Sequence, residues 1–121
     1  MNTVLIADDS TFMRKFIRRI LEKKGFSIVG EAENGTVCID EFRKHLPEIV
    51  TLDVTMPEMD GLHTLAKLME INPGAKVVMI SALGQESIVR AAISIGAKSF
   101  IVKPFKESHV IAAINKVAAQ K

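Results

Sequence analysis

The chain has 121 residues, 48% hydrophobic and 25% charged, which is the size and balance of one globular domain with a working core. Its net charge of +2 argues neither for nor against nucleic acid, no apolar stretch reaches the roughly 20 residues of a membrane helix, and Asp8-Asp9 cut the first apolar run too short for a secretory leader. A cytoplasmic protein with no membrane or nucleic-acid partner is expected, and a single cysteine, Cys38, excludes an internal disulfide framework or a cysteine-rich zinc site.

The first apolar run predicts a strand over Thr3 to Asp8. A helix follows from about Ser10 to Lys24, because Phe12, Met13, Phe16, Ile17, Ile20 and Leu21 recur at helical spacing. Arg14, Lys15, Arg18, Arg19, Lys23 and Lys24 fall on its outer face as a solvated surface, and Gly25 suits a left-handed stop. A second strand, Ser27 to Glu31, leads through an Asn34-Gly35 turn to a helix over Thr36 to His45. Pro47 obliges that helix to end near Leu46. The third strand, Ile49 to Asp53, is apolar on both faces, as a central strand covered by helices would be.

A loop from Val54 to Asp60 precedes a helix over Leu62 to Ile71, closed by Asn72-Pro73-Gly74. The fourth strand is Lys76 to Ser81, and its helix runs from Gln85 to Ile95 with Gly96 at the stop. The fifth pair is Ser99 to Lys103 and Glu107 to Ala119, the last helix burying Val110, Ile111, Ile114, Val117 and Ala118. Strand and helix alternate throughout, so the fold class is α/β, a doubly wound (βα)5 arrangement in one domain over residues 1–121. Right-handed crossovers narrow the strand order without fixing it.

Four of the predicted strands stop at residues with chemistry: Asp8-Asp9, Asp53, Ser81 and Lys103-Pro104. In a parallel sheet these gather at the carboxyl edge, where open α/β folds bind ligands. Three carboxylates so placed repel one another unless one is protonated or a cation joins them. Mg²⁺ takes oxygen ligands of this kind, and Lys103 adds positive charge without offering a metal ligand. A carboxylate can also accept a phosphoryl group as a nucleophile, with a lysine and a hydroxyl to hold the oxygens. Each residue has a plainer reading alone, as a helix cap or a turn; the joint placement is what points to metal-assisted phosphoryl chemistry.

The chain resembles bacterial response-regulator receiver domains, most closely the stand-alone chemotaxis regulators, over essentially its whole length. The resemblance rests on Leu5-Ile6-Ala7-Asp8-Asp9-Ser10, on the stretch from Leu52-Asp53 through Met56-Pro57-Glu58-Met59-Asp60-Gly61, on Ile80-Ser81-Ala82, and on Gly96 through Lys103-Pro104-Phe105. It implies a flavodoxin-like parallel sheet in the order 2-1-3-4-5. It implies Asp53 as phosphoacceptor, Asp8, Asp9, Asp53 and the Thr55 backbone carbonyl as Mg²⁺ ligands, and Lys103 and Ser81 as partners of the phosphoryl oxygens. Phe100 becomes the switch aromatic, turning inward when Ser81 is drawn to the phosphoryl group, and Lys103-Pro104 a cis peptide. Implied partners are a CheA-like histidine kinase, an output protein such as a flagellar motor switch protein docking on helix 4, strand 5 and helix 5 around Ser87, Arg90, Lys98, Phe100 and Lys106, and a phosphatase. A monomer is expected.

Two positions depart from the common family pattern: Ser81 stands where threonine is more frequent, and Phe100 where tyrosine often is. Thr55 and Leu83 occupy positions at which receivers tune the phosphoryl lifetime. A phosphatase using Asp53 on external substrates would want a second carboxylate two residues on, where Thr55 stands. No external turnover is therefore expected. A flavin-binding relative would want a phosphate-cradling loop where Asp8-Asp9 stand. His45, His63 and His109 share no ligand spacing and are expected at helix ends, and Met56, Met59, Met69 and Met79 are expected in packing.

Overall fold

Apolar residues with two-sided burial drive the central strands together, and a computed structural model describes the result for residues 2–57 and 59–120. The motif residue Glu58 lies outside the described residues. The strands are β1 (Thr3–Ala7), β2 (Ser27–Ala32), β3 (Ile49–Asp53), β4 (Lys76–Ala82) and β5 (Ser99–Lys103). The helices are α1 (Thr11–Lys23), α2 (Gly35–His45), α3 (Gly61–Ile71), α4 (Glu86–Ile95) and α5 (Glu107–Ala118). All pairings are parallel and the strand order is β2-β1-β3-β4-β5, as the resemblance implied.

Strand alternation sorts the core into two layers. Leu5, Ala7, Val50, Leu52, Val77 and Met79 face one side and pack with Cys38, Phe42, Leu65, Leu68 and Ala92 from α2, α3 and α4. Val4, Ile6, Ile49, Val78, Ile80 and Ile101 face the other, against Ile17, Ile20 and Leu21 of α1 and Val110, Ile114 and Val117 of α5. Met56 and Met79 are buried and Met59 and Met69 pack against the first layer, so the methionines are packing residues. Burial pushes the Cys38 thiol up to about 12.

The differences from the sequence expectation lie at element ends. Asn34-Gly35 is a helix start and not a free turn: Asn34 caps α2, its side chain accepting from the Val37 N–H at 2.8 Å. Asp60 caps α3 likewise, accepting from the His63 N–H at 2.9 Å, and that bond holds its carboxyl below the ordinary range. Phe12 was expected in the apolar stripe of α1 but is 75% exposed, stacked on Phe16. It sits in the first turn of α1. The cations of α1 are not all free either, since Arg14 and Arg18 both bond Glu31, at 3.1 and 2.8 Å.

Local glycine chemistry sets two boundaries. Gly25 takes φ +88° after α1. At Gly61 a Cβ would meet the Asp53 carbonyl oxygen at 2.6 Å and the Val54 Cα at 2.7 Å, so the start of α3 lies directly against the end of β3. Among the described residues no helix is long and apolar enough to cross a membrane.

Candidate functional site

Each acid of the site is delivered by the end of a strand. The Asp8 N–H donates to the Ala32 carbonyl at 2.9 Å, which carries the chain one residue beyond β1. Its side chain turns back, Oδ1 accepting from the Ser10 N–H at 2.9 Å, while Ser10 caps α1 by accepting from the Met13 N–H at 3.1 Å. Arg14 Nη1 donates to the Asp8 carbonyl at 2.6 Å, and Glu31 steadies that guanidinium. Asp9 follows in an exposed position.

Asp53 closes β3 and is 5% exposed. Its Oδ1 accepts from the Thr55 N–H at 3.1 Å and its Oδ2 from Lys103 Nζ at 3.2 Å. The same ammonium lies 3.6 Å from Asp8 Oδ2, an ion-pair distance beyond hydrogen bonding. Lys103 thus reaches from the edge strand to two acids on strands nearer the centre of the sheet. Burial alone would lower its pKa; the charges of Asp53 and Asp8 outweigh that and hold it above the ordinary lysine range.

One ammonium does not balance the cluster. Asp8 is fully buried, and among the described residues its Oδ2 has no hydrogen-bond partner. Burial chiefly, opposed by the Ser10 N–H and reinforced by the charge of Asp53, pushes the Asp8 carboxyl from 3.8 up to about 6. One carboxylate oxygen from each of Asp8, Asp9 and Asp53 lies within 4.8 Å of the others. An oxygen-only donor set with an orphaned buried carboxylate atom fits a hard divalent cation.

Of the other expected site residues, Ser81 is buried one position beyond Ile80, the residue in register with Asp53. Thr55 stands at the rim, its side chain exposed. Phe100 is 48% exposed and stands away from the carboxylates, on a groove of about 650 Å³ that it lines with Leu83, Val89, Arg90, Ile93 and Ser81. The Lys103-Pro104 peptide is cis. Ser87, Arg90, Lys98 and Lys106 are all exposed on the α4, β5 and α5 face. The histidines do local work: His63 lies 3.4 Å from Asp60, His45 3.5 Å from Glu41, and His109 Nδ1 accepts from the Lys106 N–H at 3.1 Å.

Two contributors were not visible beforehand. Sequence alone marks Arg14 as an outer-face cation and Gln85 as a helix start. The Gln85 amide joins Thr55 Oγ1, at 3.2 Å, to the Ala82 N–H, at 2.6 Å. A side-chain amide at a helix N-terminus following a strand that ends at the site is the available signal, and it is a weak one.

Comparison with known proteins agrees with this geometry. A family model described as the response regulator receiver domain matches residues 4–115. The chain is 50% identical over 113 residues to the chemotaxis protein CheY of Bacillus subtilis, covering 93% of this chain and 94% of that protein. It is 47% identical to CheY of Thermotoga maritima over 95% of this chain and 96% of the relative. Among solved structures, a chain of the CheX-CheY-BeF3-Mg+2 complex from Borrelia burgdorferi is similar with a TM-score of 0.94 at 40% identity, covering 98% of this chain and 90% of that one. The receiver domain of NtrX from Brucella abortus is similar with a TM-score of 0.93 at 28% identity, covering 98% of this chain and 99% of that one.

Proposed function

The chain belongs to the response-regulator receiver family, the signalling component of two-component systems, and from that premise we propose that Asp53 accepts a phosphoryl group from a histidine kinase and that the product signals by binding another protein in chemotaxis. The observation that carries this reading is the setting of Asp53: a nearly buried carboxylate held between the Thr55 N–H and the Lys103 ammonium, beside two further acids.

In the transfer, an Asp53 oxygen attacks phosphorus, the bond from phosphorus to the kinase histidine nitrogen breaks, and that nitrogen regains its proton. The Thr55 N–H and Lys103 hold the carboxylate still, so attack begins from one fixed orientation. Lys103 keeps its charge against the transferred oxygens, and the Ser81 hydroxyl, on the neighbouring strand, donates to one of them. Asp8, Asp9, Asp53 and the Thr55 carbonyl would hold Mg²⁺, which when bound neutralises charge on the phosphoryl oxygens.

The new group carries about −1.5 to −2 charges and three acceptor oxygens. Drawing Ser81 toward it opens space at the inner end of the groove, and the exposed Phe100 turns into that space. The α4, β5 and α5 face then changes shape, which is the surface offered to an output protein of the flagellar motor-switch kind. This is a two-state element whose active form is populated to some degree before phosphorylation. A CheA-like kinase supplies the phosphoryl group and a phosphatase removes it. Thr55, where an acid would stand in an enzyme acting on external substrates, supports a switch and not a turnover enzyme.

The test is incubation with a small phosphodonor, with and without Mg²⁺, followed by intact mass. One phosphoryl increment is expected with Mg²⁺ and none in Asp53→Asn. Equal labelling of the Asn variant would refute Asp53 as the acceptor.

A further inference from the structure

Strand geometry gives the Ala82 N–H an unusual place. The Ile80 carbonyl accepts from the Val54 N–H at 2.9 Å, so the backbone of Ile80 faces β3. Two residues on, Ala82 faces the same way, past the last residue of β3, at the level of Asp53 and Thr55. β3 has ended there, although Ala82 still pairs in register with Lys103 of β5, and among the described residues the Ala82 N–H has no partner in β3. Gln85 takes it: Oε1 accepts at 2.6 Å, the Gln85 N–H returns to the Ala82 carbonyl at 3.3 Å, and Nε2 donates to Thr55 Oγ1 at 3.2 Å. Thr55 in turn binds Asp53 through its own N–H.

One neutral carboxamide therefore ties the β4–α4 loop to the β3–α3 loop across the mouth of the site. Among the described residues little else anchors that loop. Leu83 is 75% exposed, Gly84 adopts φ +89°, and among the described residues the Gly84 N–H reaches only Glu86 Oε1, at 3.4 Å.

We propose that Gln85 is a positioning residue for the switch, a latch whose carboxamide oxygen occupies the Ala82 N–H that a phosphoryl oxygen on Asp53 would otherwise accept. The inference rests on the proposed phosphorylation of Asp53. An anionic phosphoryl oxygen is the stronger acceptor and displaces the amide. Release of Gln85 frees Leu83 and the first turn of α4, which line the groove beside Phe100. The resting state is held by the latch, and the phosphoryl group must outcompete it before the surface changes.

The experiment titrates beryllofluoride, a phosphoryl mimic, in the presence of Mg²⁺ into the full chain and its variants, following the Ala82 amide resonance. Gln85→Ala leaves the donor free, so half-saturation is expected at a concentration about three- to tenfold lower than in the parent chain, the size of one net hydrogen bond. Its unliganded Ala82 resonance is displaced from the parent position, and the two beryllofluoride-bound resonances coincide. Gln85→Glu keeps an oxygen for Ala82 but makes it anionic, and weaker binding than the parent is expected. Opposite shifts in the two variants support the latch, whereas equal or weaker binding by Gln85→Ala overturns it. A parent chain that binds no beryllofluoride at all instead refutes the phosphoacceptor reading on which the latch depends.

Discussion

The two apolar layers and the carboxyl edge of the sheet are built by the same strands on opposite principles. Within the layers Leu5, Leu52, Met79 and Phe42 on one side, and Ile6, Ile80 and Ile114 on the other, are fully buried among like neighbours. At the edge, three acids cluster, two of them beside one lysine, and the buried Asp8 Oδ2 lacks a hydrogen-bond partner among the described residues. The layers supply stability, and the edge draws on it to hold charges together that would separate in water. A chain that keeps such an arrangement has an unmet demand for positive charge, which a bound cation would meet. Mutations in the two regions should therefore move stability in opposite directions.

The largest effect is expected in the layers. Phe42 is a fully buried side chain of α2, and Phe42→Ala should cost about 3–5 kcal/mol in denaturant unfolding. At the edge the sign reverses. The Asp8 carboxyl is raised to about 6 from 3.8, so the folded chain binds its proton more tightly than the unfolded chain does. The stabilisation from that proton is full below about pH 4 and is lost as pH rises through 6. At pH 7.5 without Mg²⁺, Asp8→Asn should then stabilise by about 1–3 kcal/mol, the size of that shift. The gain should shrink toward pH 4.5, and unfolding curves at both pH values check it.

A smaller test sits inside β3. Thr51 is buried and its hydroxyl has no partner among the described residues, so Thr51→Val should be neutral or stabilising by about 1 kcal/mol in the same assay. A loss of more than that would show that the hydroxyl is bonded in solution. Smallest of all is Phe12, which lies outside both regions at 75% exposure; Phe12→Ser should stay within about 0.5 kcal/mol.

How much of this was legible in the chain differs between the same two regions. The layers follow from alternation and helical spacing, which is why β3 and β5 fall where the apolar runs place them and α1 buries Ile17, Ile20 and Leu21. The strand order came from family resemblance, because nothing local distinguishes one right-handed arrangement from another. The acids were legible as strand ends. Their partners were not: the Lys103 bond to Asp53 spans 50 positions, the Gln85 bond to Thr55 spans 30, and no periodicity encodes either. Asn34 looks like a turn in the sequence because an Asn-Gly pair is as good a turn as it is a helix cap; in the fold it caps α2.

The edge acids are held short of positive charge, a deficit that a divalent cation would make good. Titration calorimetry with Mg²⁺ near neutral pH tests it most directly. The account predicts one ion bound per chain, with binding sharply weakened in Asp8→Asn. Absence of any Mg²⁺ heat in the parent chain, together with an Asp8→Asn variant no more stable than the parent, would contradict it.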